Sequence, residues 1–429
     1  MKILLITDEV WNDEIHGNNV LSNWFNGFDA EFANVYCSPG KPRHIVCKKY
    51  FQITDSMMLK SLISKQKAGI SFYSDIKGDF SANIENVNTK LYNFLKSIST
   101  ESIRLLREIL WSVGKYNIEL LEQFINDFKP DIIFSPRFAS IKILRLEKII
   151  HKISNVPIIA FTGDNEYSLK AFSLSPFFWI RKFLTRSVIN KWMYIYARYY
   201  TLSEEQLEEY TRKFGAKFAI LRKGGDFSRE LIEKKINNPI RIIYAGKLYS
   251  NRWKTLSKLV KTIKCVNAHK QKYILEIYTK DTISRRQNKL LNDKKNSYIK
   301  GVVSPENLKR IYEESDIALH VESFDLTNKL KTRLSFSTKI IDCLASGCAV
   351  MVISWEKHSG FTYLKKEDAA FSLNNTKLVK QTLEQIYDNP EILNIYIEKA
   401  HSCGVRNHHI YQVQEKLYKD FIQVIEEKN

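Results

Sequence analysis

The sequence predicts an α/β protein of two doubly wound, Rossmann-like domains, with a helical insertion in the first. Three observations carry this. Short apolar runs of strand length alternate with helical patterns in two separate series. Where the series meet, turn formers and a polar segment from Gly224-Gly225-Asp226 to Asn237-Asn238-Pro239 interrupt the apolar strands. Late in the second series, Ser335 to Ile353 reads as a short helix leading into a buried strand.

The chain opens on Ile3-Leu4-Leu5-Ile6-Thr7, a first buried strand. The apolar run is too short for a signal peptide, and Asp8 and Glu9 follow at once. Further strands are expected at 132–135, 157–161, 199–202 and 218–221. Residues 85–128 lack proline and place Leu91, Leu95, Leu105, Leu106, Ile109, Leu120, Leu121 and Phe124 at helical spacings, so an insertion of about 51–128 is assigned as helical. The second series runs through 240–245, 273–278, 298–300, 317–321 and 349–353. The expected domains are therefore 1–235 and 236–404, with 405–429 as one amphipathic helix packing back on the first domain.

At 429 residues with 44% apolar content the chain can bury two sizeable cores, which excludes a disordered protein. Six cysteines without a C-x-x-C pair argue against a disulfide frame or a zinc site and fit a cytoplasmic protein. No apolar run reaches the roughly 20 residues that span a bilayer. The net charge of +19 points to anionic partners: phosphates, acidic lipid or nucleic acid. Residues 167–203 contain no acid, yet carry Lys170, Arg181, Lys182, Arg186, Lys191 and Arg198 among Phe177, Phe178, Trp179, Phe183 and Trp192. Such a stretch, 170–198, suits an anionic membrane surface, and equally a core helix with a solvated basic edge.

The helix after Phe336 carries the most chemistry. Ser337 is a good N-cap, Ile340-Ile341 and Leu344-Ala345 make an apolar stripe, and Gly347 supplies the stop. A cation at Lys339, in the first turn, is unfavourable by roughly 0.3–1 kcal/mol against the helix dipole unless an anion sits there. Asp342, one turn further, suits sugar hydroxyls. An ordinary βαβ turn with a solvated lysine fits these residues as well.

Several segments in order give the chain its likeness to a family. They are His16-Gly17-Asn18-Asn19, Ser203-Glu204-Glu205, Arg222-Lys223-Gly224-Gly225-Asp226, Tyr244-Ala245-Gly246-Lys247-Leu248 with Arg252, Gly301-Val302-Val303-Ser304-Pro305-Glu306, and Ser337 to Gly347. With two Rossmann-like halves, the chain resembles nucleotide-sugar-dependent glycosyltransferases of the GT-B fold, especially the retaining family 4 type of bacterial surface polysaccharide synthesis. The resemblance implies two domains facing a cleft, and Lys247 and Arg252 gripping the donor diphosphate beside Gly246. It implies Gly301, Val302 and Val303 against the base, Ser337, Thr338 and Lys339 at the phosphates, and Asp342 on the ribose. His16, Gly17 and Asn18 match the glycine loop on the acceptor and donor-sugar side. Where the family often has two glutamates seven residues apart, this chain has Leu334 and Asp342. Gly163-Asp164 replaces a histidine before an aspartate, leaving Asp164 as the acid nominated near the acceptor.

The implied activity is a metal-independent, retaining hexosyltransferase, with no D-x-D motif and no cofactor. The D-x-E triplets Asp29–Glu31 and Asp164–Glu166 resemble solvated surface pairs more than magnesium ligands. The donor is a UDP- or GDP-sugar and the acceptor a lipid-linked or oligosaccharide glycan of capsule or O-antigen synthesis, met at the inner face of the cytoplasmic membrane. A nucleotide-sugar epimerase of the same fold is the alternative, weakened by the lack of a carboxylate cluster. A basic nucleic-acid-binding protein, resting on charge alone, is a second.

Overall fold

The computed structural model describes residues 1–428 except 14–19, 44–45, 75–99, 138–139, 164, 216, 229–230 and 232. The chain divides into two compact units, Met1–Leu221 with Gln414–Asn429, and Arg222–Val413. Residues 222–235, assigned from sequence to the first domain, thus pack with the second. Each unit is a sheet covered by helices around its own apolar core.

The first sheet orders its strands β4-β3-β2-β1-β5-β6-β7-β8. The strands are β1 (Lys2–Thr7), β2 (Glu31–Tyr36), β3 (Cys47–Gln52), β4 (Ile70–Tyr73), β5 (Ile132–Arg137), β6 (Ile158–Thr162), β7 (Tyr196–Thr201) and β8 (Phe218–Ile220). All neighbours run parallel except β4, which pairs antiparallel with β3 and ends the sheet. The segment 51–128 is therefore not wholly helical. It contributes β4, while helices Glu101–Val113 and Ile118–Phe128 supply the expected periodic part, and 85–99 lies outside the described residues.

Strands β2 and β3 carry polar residues that masked them in the sequence. Asn34 is fully buried in β2, where its amide donates to Thr7 Oγ1 at 3.0 Å, and buried Gln52 in β3 donates to the Ser38 carbonyl at 3.1 Å. Satisfied in this way, a polar side chain is tolerated in a buried strand.

The second sheet orders β11-β10-β9-β12-β13-β14, all parallel. Its strands are β9 (Ile240–Ala245), β10 (Tyr273–Tyr278), β11 (Ser297–Gly301), β12 (Ile317–Val321), β13 (Ala349–Ile353) and β14 (Phe371–Leu373). Relabelled within the unit, this is the 3-2-1-4-5-6 order of a dinucleotide-binding sheet. The order reverses between β9 and β12, the place where such sheets take ligands beyond their carboxyl ends.

The closing segment is not one helix. It breaks at His409 into Ile392–His408 and Ile410–Glu426, because the extended Gly225 backbone inserts there. Gly225 N–H donates to the His408 carbonyl (2.8 Å) and Ile410 N–H donates to the Gly225 carbonyl (3.0 Å). The last part of this segment belongs to the first unit, with the Phe421 ring against Phe25, Phe28 and Phe134. All six cysteines are free thiols. No helix among the described residues is long and apolar enough to cross a membrane.

Candidate functional site

The strand-order reversal of the second unit gathers charge. Beyond β9 the chain passes through Gly246 and exposed Lys247, then turns through Ser250 and Asn251, both at positive φ, into helix Arg252–Val266. The turn is held by the Asp281 carboxylate, which accepts the Leu248 N–H at 2.5 Å, and by Asn251, whose amide donates to Asp325 at 3.1 Å.

Arg252, the first residue of that helix, is buried. Its Nε donates to Glu322 Oε2 at 3.1 Å and its Nη2 to Oε1 at 2.6 Å, a two-bond fork. Glu322 lies just past β12 and is tied on both sides: its N–H donates to the Ile353 carbonyl and its own carbonyl accepts from Thr255 Oγ1. Burial pushes the Glu322 carboxyl up, but His358 and the doubly hydrogen-bonded Arg252 outweigh it and hold the group below the usual carboxylate range. The His320 imidazole, 3.5 Å from that carboxylate, is lowered to about 3 by burial foremost, so it is neutral at pH 7.

Lys339 completes the group. It lies in the first turn of helix Thr338–Leu344, 5.5 Å from the Tyr244 ring centroid, and its ammonium is buried without a hydrogen-bond partner. Burial, then repulsion from Arg252, lowers it to about 8. It is still largely charged at neutral pH. Glycine at 246 is what admits it, since a Cβ there would lie 1.8 Å from Lys339 Nζ. A buried unpaired ammonium is costly, and an anion would remove that cost.

Gly246, Arg252 and Lys339 are thus brought together. Glu322, His320 and Tyr244 join them without having been anticipated. A single glutamate after a strand reads as surface, and only the strand order shows that position 322 faces β9.

The remaining nominated residues are placed as follows. Ser337 occupies the N-cap position in extended conformation, but its hydroxyl makes no capping bond. Thr338 precedes Lys339 in the same turn. Asp342 is bound to Lys223 Nζ at 3.0 Å, so a ligand hydroxyl there must compete with an ammonium. Gly301, at φ +79, ends β11; its carbonyl accepts from Thr279 N–H, as the Tyr278 carbonyl at the end of β10 accepts from Gly246 N–H. The exposed Val302 and half-buried Val303 follow, two strands and about 10 Å along the same carboxyl edge. Leu334 is buried, with 1% exposure. His16, Gly17, Asn18 and Asp164 lie outside the described residues. Among the described residues no group of three or more His, Cys, Asp or Glu is arranged to hold a metal ion.

No protein-family model and no curated protein matches this sequence. Solved structures do resemble the chain over almost all its length. Anabaena HepE in complex with UDP superposes with TM-score 0.62 at 10% identity, covering 99% of this chain and 100% of that one. The UDP-forming α,α-trehalose-phosphate synthase of Burkholderia xenovorans, in complex with glucose-6-phosphate, gives 0.61 at 9% identity over 98% and 100%. Sucrose-phosphate synthase from Thermosynechococcus elongatus gives 0.60 at 10% identity over 99% of both. Likeness at such identities is likeness of fold, and the fold is GT-B.

Proposed function

We propose that this GT-B chain is a glycosyltransferase that binds a UDP- or GDP-sugar at the carboxyl edge of its second sheet and transfers the hexosyl group to a glycan acceptor. The observation that carries this is the Lys339 ammonium, buried and unpartnered where a 3-2-1-4-5-6 sheet takes its ligand. A diphosphate is the anion that suits it. The Anabaena HepE structure contains UDP, which is the ligand class proposed here.

In this reading Lys339 and the Thr338 turn meet the phosphates, Lys247 adds a mobile cation from the rim, and Gly246 keeps the approach open. Arg252 is held by Glu322 and acts as a fixed, partly neutralised positive wall. The Gly301–Val303 loop lies against the base and Asp342 beside the ribose. Cleavage of the bond from the anomeric carbon to the phosphate oxygen leaves its electron pair on the diphosphate, where these cations stabilise it. The acceptor oxygen bonds to the anomeric carbon. Its proton passes to the departing phosphate if configuration is retained, which asks for no metal and no carboxylate nucleophile. The family resemblance supplies the acceptor: a lipid-linked glycan of surface polysaccharide synthesis, met on the cytoplasmic side of the membrane.

Thermal shift with UDP, GDP, CDP and TDP tests the site. UDP or GDP should raise Tm and Lys339→Met should abolish the rise, because preferential ligand binding stabilises the folded state. No response to any of the four would remove the donor assignment. Turnover with a panel of nucleotide sugars and lipid-linked acceptors tests the reaction.

A further inference from the structure

One face of the first unit is apolar across three adjacent helices. Helix Glu101–Val113 packs against both Asp55–Ile63 and Pro176–Trp192. Each turns large apolar side chains to solvent: Leu59 and Ile63 on one, Leu106 and Val113 on the middle, Phe177 and Ile180 on the third. Ile63 is 81% exposed and Leu106 63%. Exposed large apolar side chains on helices that touch one another mark a contact site on a folded protein.

The basic residues counted from sequence as lipid-facing are mostly committed inward. Arg181 binds Glu101 at 3.0 Å, Lys182 donates to the Asn165 carbonyl, Arg186 donates to the Tyr167 carbonyl, and Arg198 pairs with Asp420. Of these Lys191 remains, and it stands with Lys148 and Lys152 at the C-terminal end of helix Pro176–Trp192. Lys148 lies 3.5 Å and Lys191 5.4 Å from the Trp192 ring centroid, and Lys152 is one turn beyond Lys148. None of the three pairs with a described carboxylate. Lys191 shares the helical face of Phe177 and Ile180, being eleven residues, about three turns, beyond Ile180. Exposed Tyr194 follows Trp192.

We propose that this face docks on an anionic lipid bilayer. The three apolar stripes enter the head-group boundary, Trp192 and Tyr194 sit at the level of the polar heads, and Lys148, Lys152 and Lys191 bind lipid phosphates. Cations at the border of an apolar face match a bilayer, which offers hydrocarbon bordered by anionic head groups. The inference is independent of the sugar-transfer reading.

Sedimentation of the full chain with vesicles of phosphatidylcholine, with and without an equal part of phosphatidylglycerol, tests it. The chain should sediment with the mixed vesicles, less so at high salt. Lys148→Glu with Lys191→Glu, and separately Leu106→Glu with Phe177→Glu, should each weaken binding about tenfold or more with Tm unchanged. No binding to the mixed vesicles, or binding untouched by both double variants, overturns the proposal. A dimer in vesicle-free solution that the Leu106→Glu, Phe177→Glu variant dissociates also overturns it, and assigns the face to a second copy.

Discussion

Lys339 reaches over Gly246 so closely that a β-carbon at 246 would lie 1.8 Å from its ammonium. Gly246→Ala should therefore displace the lysine. The tip of a flexible side chain can move, so stability should change little, while the Tm rise given by UDP or GDP should shrink towards that of Lys339→Met. Thermal shift on both variants checks this; an undiminished rise in Gly246→Ala would separate the ammonium from the ligand.

Ligand affinity should depend on pH through the same group. Without ligand Lys339 titrates at about 8, and a bound diphosphate favours its charged form. Binding then takes up a proton above that pH. Affinity for the diphosphate should be full below pH 8 and fall as pH rises through it, by up to about tenfold per unit. The unliganded fold has the opposite sign: its lysine is lowered from 10.5, so stability rises between about pH 8 and 10.5. Calorimetric titration from pH 7 to 9.5 should show the fall in the parent chain and a flat profile in Lys339→Met.

Breaking the fork should cost stability. Arg252→Ala leaves the Glu322 carboxylate, 1% exposed, without its guanidinium, a loss of about 3–5 kcal/mol. Arg252→Lys cannot restore two parallel bonds and should recover only part. Lys247→Ala removes an exposed cation and should leave stability within about 0.5 kcal/mol while weakening nucleotide binding. Urea unfolding of the three variants measures this; an Arg252→Ala chain as stable as the parent would show the pair to be dispensable.

Acid should unfold the second unit through its buried imidazoles. His320 and His408 are each lowered from 6.5 to about 3, chiefly by burial, and His408 Nε2 lies 2.7 Å from the Tyr363 hydroxyl. The unfolded chain binds these protons near pH 6.5 and the folded chain does not. Their contribution is thus full above pH 6.5 and lost as pH falls towards 3. Urea unfolding between pH 7.5 and 4.5 should show stability declining with acid, and His408→Gln should reduce the slope by about one proton.

Strands β9, β10, β12 and β13 were legible because their apolar runs are nearly unbroken, and their expected bounds match the observed ones. Strands β2 and β3 were not, since the bonds of Asn34 to Thr7 and of Gln52 to Ser38 reach partners distant in sequence. Lys339 stood out as a cation on the wrong end of a helix. Glu322 did not, because its significance comes from β9 and β12 becoming neighbours. The break at His409 was hidden for a similar reason: the apolar pattern continues through Ile410, Val413 and Leu417, and the interruption comes from Gly225, far away in the chain.

That same pairing of residue 225 with residues 408–410 means the polypeptide enters and leaves the second unit through a single doorway. An excised segment 222–413 would have abutting ends, ready to be joined into a ring or reopened at a distant loop without redrawing its sheet.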